Sequence, residues 1–229
     1  MIEIILASAS PRRQQFFKEL GLPCTICAAD IDETPRADEG PIGLAHRLAQ
    51  SKAQAVADRV APNGRVQLIV AADTVVAQGA ELLGKPVDEA DAARMLRQLR
   101  TGVHQVHSGV SVLQRMATGE TRQETIVNST DVVMRPYSDT EIAAYVATGD
   151  PLDKAGAYAI QHPVFAPVQQ INGCISGVMG LPLADLRDLL ARFGVQVATP
   201  LPPLCQFHAA FACCQIENAP AATHGGDDD

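Results

Sequence analysis

Five stretches of the chain place chemically useful side chains at telling spacings. The first is Leu6-Ala-Ser8-Ala-Ser10-Pro11-Arg12-Arg13. Small hydroxyl residues lead into Ser-Pro, a strong helix start. Free backbone N–H groups at such a start favour an anion. Arg12 and Arg13 oppose the helix dipole in its first turn. That placement makes sense if both face a bound phosphate, where charge-assisted hydrogen bonds more than compensate. The plainer reading is a pair of solvated surface arginines. The second stretch is Val70-Ala-Ala-Asp73-Thr74, a carboxylate closing an apolar strand. Ligands gather at the carboxyl ends of strands in α/β sheets, and a buried Asp must be paired, metal-bound or protonated. The alternative is a turn or helix-cap Asp. The third, Gly84-Lys85-Pro86, holds a lysine in a tight, stiff turn. The fourth is Lys52, which falls on the apolar stripe of a helix, where it either snorkels to the edge or pairs with an anion in a cleft. The fifth is Asp153-Lys154-Ala-Gly156-Ala-Tyr158-Ala-Ile160-Gln161. Its small residues permit close backbone approach, and Gln161 offers a donor and an acceptor to one ligand edge.

The elements that must carry these residues alternate between apolar runs and helical patterns, which predicts an α/β fold. Strands are expected over 2–7, 24–28 and 66–72, the last continuing through Thr74 to Ala77. A long hairpin is expected over 103–116 and 121–134. Helices are expected from Ser10 to Leu20, from about Ile42 to Val60, from Asp88 to about Arg100, from Ser138 to Ala147 and from Leu183 to Phe193. Ser138-Asp-Thr-Glu141 is a capping box. The stretch from Pro151 to Gly180 is rich in Gly and Pro and is expected to be irregular. From Thr199 the Pro-Leu-Pro-Pro run and the Ala/Gly/Asp ending predict a poorly ordered tail over 199–229.

Composition narrows the function classes. The chain has 229 residues, 47% hydrophobic and 19% charged, with net charge −8. Nucleic acid is an unexpected partner, because the charge is wrong and 4% aromatics with no Trp give no stacking platform. No stretch approaches the ~20 apolar residues of a membrane span, and the N-terminus lacks a secretory pattern, so a cytoplasmic protein is expected. The six cysteines do not pair by spacing. Cys24 and Cys27 are expected to be buried thiols in a strand, and Cys213 and Cys214 to be reactive only through exposure of the tail. His104 and His107 are expected to be polar strand positions. Residue reasoning alone leads to a small acidic α/β enzyme with a cationic, carboxylate-bearing cleft for a phosphorylated metabolite.

Ala7-Ser8-Ala-Ser10-Pro11-Arg12-Arg13, Ala72-Asp73-Thr74-Val-Val76, Gly84-Lys85-Pro86 and Leu152-Asp-Lys-Ala-Gly-Ala-Tyr-Ala-Ile-Gln161, followed by Ile171-Asn-Gly173 and Val178-Met-Gly-Leu-Pro-Leu183, resemble in type and order the Maf proteins. These are nucleoside triphosphate pyrophosphatases related in fold to the inosine triphosphatases. The resemblance spans about Ile2 to Gly194. It implies an elongated mixed sheet flanked by helices, two lobes with a central cleft, one catalytic domain over 1–198 and a homodimer. It also implies hydrolysis of a nucleoside triphosphate to monophosphate and pyrophosphate with Mg²⁺ or Mn²⁺. By the same resemblance Asp73 is the general base, and Glu33 with Asp73 holds the metal, Asp32 being a further candidate. Ser8, Ser10, Arg13, Lys52 and Lys85 bind phosphates. Arg12, Thr74 and Gln161 match the base-selecting positions of the dTTP/UTP subgroup. A neutral Gln can donate to a pyrimidine carbonyl and accept from its N3–H. Ala159 and His162 stand where the family usually has glycines, and an Ala at a position needing positive φ would be strained. Modified pyrimidine nucleotides or a different base preference fit the same reaction. A non-catalytic nucleotide-binding regulator of cell division and septum formation is the competing class.

Overall fold

The computed structural model describes residues 2–209 and 211–214. In chain order its elements are β1 (Ile2–Leu6), α1 (Pro11–Glu19), β2 (Thr25–Ile26), α2 (Pro41–Arg59), β3 (Val66–Gln78), β4 (Glu81–Leu83), α3 (Glu89–Leu99), β5 (Val103–Arg115), β6 (Thr121–Met134), α4 (Asp139–Val146), β7 (Val168–Asn172), α5 (Ile175–Val178), α6 (Leu183–Arg192) and α7 (Leu201–His208). Two short 3₁₀ turns fill Asp150–Asp153 and Ala155–Ala157. Seven strands form one sheet in the order β2-β1-β3-β5-β6-β7, with β4 paired to β3. β2, β1 and β3 run parallel to one another, and the other pairings are antiparallel. The fold is therefore a mixed α/β sheet flanked by helices.

Strand alternation decides what each face packs against. Ile5, Ala7, Ile69 and Ala71 face α2, against Ala53 and Val56. Ile4, Leu6, Leu68, Val70 and Ala72 face the other way, against Phe16 and Phe17 of α1 and the leucines of α6. Farther along β3 and β5, Val76 and Val106 join Leu96 and Leu99 of α3 and Ile142 and Tyr145 of α4 in a separate core. On the face opposite α2 the long central strands thus carry two helical covers, one toward each end. Among the described residues no helix is long and apolar enough to cross a membrane.

Two contacts fix α2 on the sheet. At Gly109 of β5 a Cβ would lie 2.3 Å from the Ala45 carbonyl oxygen, so only glycine allows the approach. The buried Arg115 donates to the carbonyls of Ala57 and Val60, both at 2.7 Å, and to Gln67 Oε1. It holds the C-terminal end of α2, where carbonyls lack helical partners.

Local signals vary in their reach. Ser138 and Glu141 form the capping box, and the Asp88 side chain accepts from Asp91 N at 2.8 Å. Ser10 precedes α1 but caps nothing with its side chain. The strand expected over 24–28 shrinks to Thr25–Ile26. The tail expected from Thr199 needs correction over its first part. Leu201–His208 is helical, with Leu201 and Cys205 buried in the core that holds α1 and α6. Its two prolines sit in the first turn, where a missing N–H costs nothing. The remainder of that expected tail, Ala210 and residues 215–229, lies outside the described residues.

Candidate active site

Alternation along β3 also separates the two most informative neighbours. Asp73 follows Ile69 and Ala71 onto the α2 face, and Thr74 points to the α1 side. Asp73 does not end its strand: β3 runs on to Gln78, in keeping with the continuation expected through Thr74 to Ala77. It lies inside the 13-residue β3, paired with Gly109 of β5. The close approach that Gly109 permits brings α2 down beside it. Lys52, on the buried stripe of α2, places Nζ 2.5 Å from Asp73 Oδ1 and 2.7 Å from Glu33 Oε1. Lys52 therefore does not snorkel; it bridges two carboxylates.

Glu33 comes from the polar loop between β2 and α2. Ile31 packs against Leu44, Leu48 and Val75. Arg47 ties the same loop to α2 through Glu39 at 2.7 Å and the Thr34 carbonyl at 3.0 Å. The Arg47 hydrogen bonds push the Glu39 carboxyl down to about 2. Asp32 accepts from Thr34 N at 2.9 Å and so serves its own loop.

On the other face, Arg13 Nε donates to the Gly180 carbonyl at 2.9 Å. Its Nη2 donates to Thr74 Oγ1 at 3.3 Å and its Nη1 to Ser8 Oγ at 3.4 Å. Thr74 Oγ1 lies 2.8 Å from Ser108 Oγ, which donates to the Gly177 carbonyl at 2.7 Å. Since the Ser108 proton goes to Gly177, Thr74 donates to Ser108 and accepts from Arg13. This relay fixes the guanidinium. Desolvation pulls Arg13 below its ordinary range, opposed by the charges of Asp73 and Glu33.

A cleft of roughly 760 Å³ opens over these groups. Ser10, Arg12, Arg13, Glu33, Lys52, Asp73, Thr74 and Lys85 all line it. Lys154 and Asp153 add to the wall, giving five cationic and three acidic side chains in a chain of net charge −8. The positive excess is local, as an anionic ligand needs. Lys154 is engaged by Asp150 and Asp153. Arg12 and Lys85 make no ion pair with a described residue, which leaves their charge for a ligand.

Three expected residues, Ser8, Asp32 and Gln161, do not line this cleft. Ser8 is buried and accepts from Ser10 N at 3.2 Å and from Arg13, so it positions the strand-to-helix turn. Gln161 follows Ile160, which does line the cleft, and its buried Oε1 has no hydrogen-bond partner. Ala159 is not strained. The left-handed positions here are Gly156 and Ala157, at φ 72° and 60°. His162 Nδ1 accepts from Phe165 N at 2.9 Å, and its ring meets that of Tyr145 edge-on.

Sequence reasoning missed Ser108 and the pair formed by Tyr158 and His104. Ser108 is a lone hydroxyl facing Thr74 across the ladder, visible only once strand register is known. Tyr158 lines the cleft, and its hydroxyl lies 2.8 Å from His104 Nε2. His104 and His107 are strand residues, as expected, but both are buried. Burial pushes His104 down to about 4.

Glu33 and Asp73 are the carboxylates that could hold a cation in the cleft. Among the described residues no group of three or more His, Cys, Asp or Glu side chains is placed to cage a metal. That is no obstacle for a hard cation such as Mg²⁺, which takes one or two carboxylates and completes its shell with phosphate oxygens and water. An ammonium already bridges the two carboxylates, so the donor set fits a cation.

A curated dTTP/UTP pyrophosphatase of Geobacter sulfurreducens is 47% identical to this chain over 191 residues, covering 83% of this chain and 96% of that protein. Another, from Myxococcus xanthus, is 45% identical over 199 residues, covering 87% of this chain and 94% of that protein. A solved HAM1 protein from Coxiella burnetii aligns with 84% of this chain and 100% of its own at 17% identity and a TM-score of 0.39. The model of the Maf-like protein family matches residues 3–193, from β1 to the end of α6 and through every residue of the cleft, and the chain belongs to that family.

Proposed function

We propose that the chain hydrolyses dTTP and UTP to the monophosphate and pyrophosphate. The observation that carries the reading is Lys52 Nζ bridging Asp73 and Glu33 on the floor of a cleft with a positive excess. Curated relatives named dTTP/UTP pyrophosphatase, each matched over most of its length, support the choice of substrate.

Asp73 takes the proton of the water that attacks the α-phosphorus. Its Oδ1 is held by Lys52, which leaves Oδ2 to accept that proton. Arg13, locked by Gly180, Thr74 and Ser8, meets the phosphates with little ordering cost. Arg12 and Lys85 bring uncommitted charge to the triphosphate and to the pyrophosphate as it leaves. Ser10 adds its hydroxyl or backbone N–H at the mouth of α1. Glu33 and Asp73 would hold the divalent cation, Mg²⁺ or Mn²⁺. When bound, that ion neutralises phosphoryl charge and makes water more acidic.

Base selection is assigned to Arg12, Thr74 and Gln161. The Thr74 hydroxyl is spent on Arg13 and Ser108, so its contribution is shape and the setting of Arg13. The unpartnered Gln161 Oε1, buried outside the cleft beside Ile160, would meet the N3–H of a pyrimidine only once its side chain turns into the cleft. The reading extends to a homodimer in the cytoplasm, and light scattering tests the dimer.

The reaction is tested by incubating the chain with each NTP and dNTP plus Mg²⁺. Pyrophosphate and monophosphate released fastest from dTTP and UTP are expected. Orthophosphate with a diphosphate product would exclude attack at the α-phosphorus. Gln161→Glu should erode pyrimidine preference, and an unchanged substrate profile would remove Gln161 from base reading.

A further inference from the structure

The segment between α4 and β7 forms one wall of the cleft, supplying Asp153, Lys154, Ala155, Tyr158 and Ile160. Its regular structure is the two short 3₁₀ turns, so side chains must fix its path. Two anchors tie it to neighbouring strands and turns. The Tyr158 hydroxyl meets His104 of β5, and Gly156 N donates to the Gly84 carbonyl at 3.1 Å. A third comes from Tyr145, in the last turn of α4. The Tyr145 hydroxyl donates to Asp150 Oδ2 at 2.6 Å and accepts from Ala159 N at 3.2 Å. Asp150 Oδ1 in turn accepts from Lys154 Nζ at 3.0 Å. The Tyr145 ring is gripped as well, stacked on Phe165 with centroids 4.3 Å apart and meeting His162 edge-on. Thr148 Oγ1 donates to the Tyr145 carbonyl and accepts from Asp150 N, which sets Asp150 against the end of the helix. Burial pushes the Tyr145 hydroxyl up, and Asp150 adds to the effect, so it stays a donor. Burial opposes the charge on Asp150, but hydrogen bonds from Tyr145 and Lys154 prevail and hold it below its ordinary range.

We propose that Tyr145 is a positioning residue for nucleotide binding: its one hydroxyl, shared by Asp150 and the Ala159 N–H, clamps the two halves of this wall and so sets Lys154 on one side and Ile160 with Gln161 on the other. The inference rests on the nucleotide reading of the cleft given above. Tyr145 does not itself line the cleft, so it acts through the wall. Loss of the hydroxyl would leave the buried Ala159 N–H without this acceptor and the Asp150 carboxylate with one donor fewer. Buried polar groups are costly to leave unpaired, so the wall would loosen one residue before Ile160. Asp73, Lys52 and Glu33 stand on β3, on α2 and in the loop before α2, outside the clamp. The clamp therefore bears on affinity and base choice and leaves the removal of a proton from water alone.

The test uses Tyr145→Phe in the full chain, which keeps the ring in its stack and removes only the hydroxyl. Amide hydrogen exchange without nucleotide should show the Ala159 N–H exchanging about tenfold faster, the factor expected for one hydrogen bond of this kind. With Mg²⁺, KM for the fastest-hydrolysed triphosphate should rise about tenfold while kcat holds, the mark of lost binding and not of lost chemistry. Preference for pyrimidine over purine triphosphates should narrow. Asp150→Ala removes the hydroxyl's acceptor, should also raise KM with kcat held, and decides the matter if Tyr145→Phe does not fold. Unchanged exchange at Ala159 would overturn the clamp. Unchanged KM beside faster exchange would overturn its role in binding, as would a kcat that falls in step with Tm at constant KM. Exchange needs no substrate and KM is read on whichever triphosphate is turned over, so an error in the proposed substrate is told apart from an error in the clamp.

Discussion

At the scale of single residues, the proposed role of Asp73 as proton acceptor, beside the Lys52 ammonium that holds its Oδ1, is open to substitution. Asp73→Asn keeps the side chain's shape but removes the proton acceptor. A general base contributes at least about 100-fold, so kcat should fall by that factor. Binding should persist, because Arg13, Arg12 and Lys85 are untouched. Single-turnover kinetics with dTTP, together with equilibrium binding of a non-hydrolysable analogue, checks both halves. Retained turnover would remove Asp73 as the base. His104 yields a prediction of a different kind. Burial pushes it down to about 4, against about 6.5 in an unfolded chain. Between these values the unfolded chain binds a proton that the folded chain does not, so stability rises with pH across that window. The gap is about 3.5 kcal/mol at most, at ~1.4 kcal/mol per pH unit. His104→Gln can still hydrogen-bond Tyr158 and should flatten most of the slope from pH 6.5 to pH 4 in denaturant titrations. His107, also lowered by burial, keeps a part of the same sign. Below about pH 4.5 the remaining loss belongs to carboxyls such as Glu39, held down by Arg47, and Glu141, held down by the Ser138 backbone N–H and Arg135.

Elements put these residues where they act, and Gly109 is where two of them meet. In Gly109→Ala the new Cβ would sit 2.3 Å from the Ala45 carbonyl oxygen, so α2 must move off the sheet. Overpacking of this kind costs about 1–3 kcal/mol. Lys52 lies about two turns farther along the same helix, so the shift should also loosen its bridge to Asp73. A lower Tm together with reduced kcat is expected, and an unchanged Tm would show that α2 adapts at no cost. This contact marks where the sequence stops being legible. Periodicity, caps and turn residues reveal the strands and helices, and motif order reveals the cleft's cations. The register that pairs Asp73 with Gly109 and Thr74 with Ser108 is a long-range property. No local pattern around Ser108 signals a hydroxyl relay to Arg13, and nothing near Arg115 signals that it holds the end of α2. The opposite failure occurs at Ala159, where an expectation of strain carried over from glycine usage meets an unstrained backbone, the left-handed turn being taken by Gly156 and Ala157.

For the whole molecule, the question is how much of the chain the fold uses. Composition after Thr199, with its prolines and acidic ending, suggests a segment that could be lost without effect. The packing says otherwise for its first part. Leu201 and Cys205 of α7, then Ala209 and Cys213, are buried with Phe16, Leu20 and the leucines of α6. His208 Nε2 meets Glu19 Oε2 of α1 at 2.7 Å, and the Thr199 hydroxyl donates to the Leu20 carbonyl at 3.2 Å. Burying one leucine is worth roughly 1.5–3 kcal/mol, and removing α7 would also uncover the side chains beneath it. A chain ending at residue 199 should therefore melt roughly 5–10 °C lower, at about 2–4 °C per kcal/mol for a domain of this size. None of α7 lines the cleft, so kcat/KM measured well below the transition should be retained. Scanning calorimetry beside a dTTP assay separates the two effects. An unchanged Tm would mean that the burial of Leu201 and Cys205 contributes nothing. A lost kcat/KM with the fold intact would mean that α7 sets the α5 wall from which Gly180 holds Arg13.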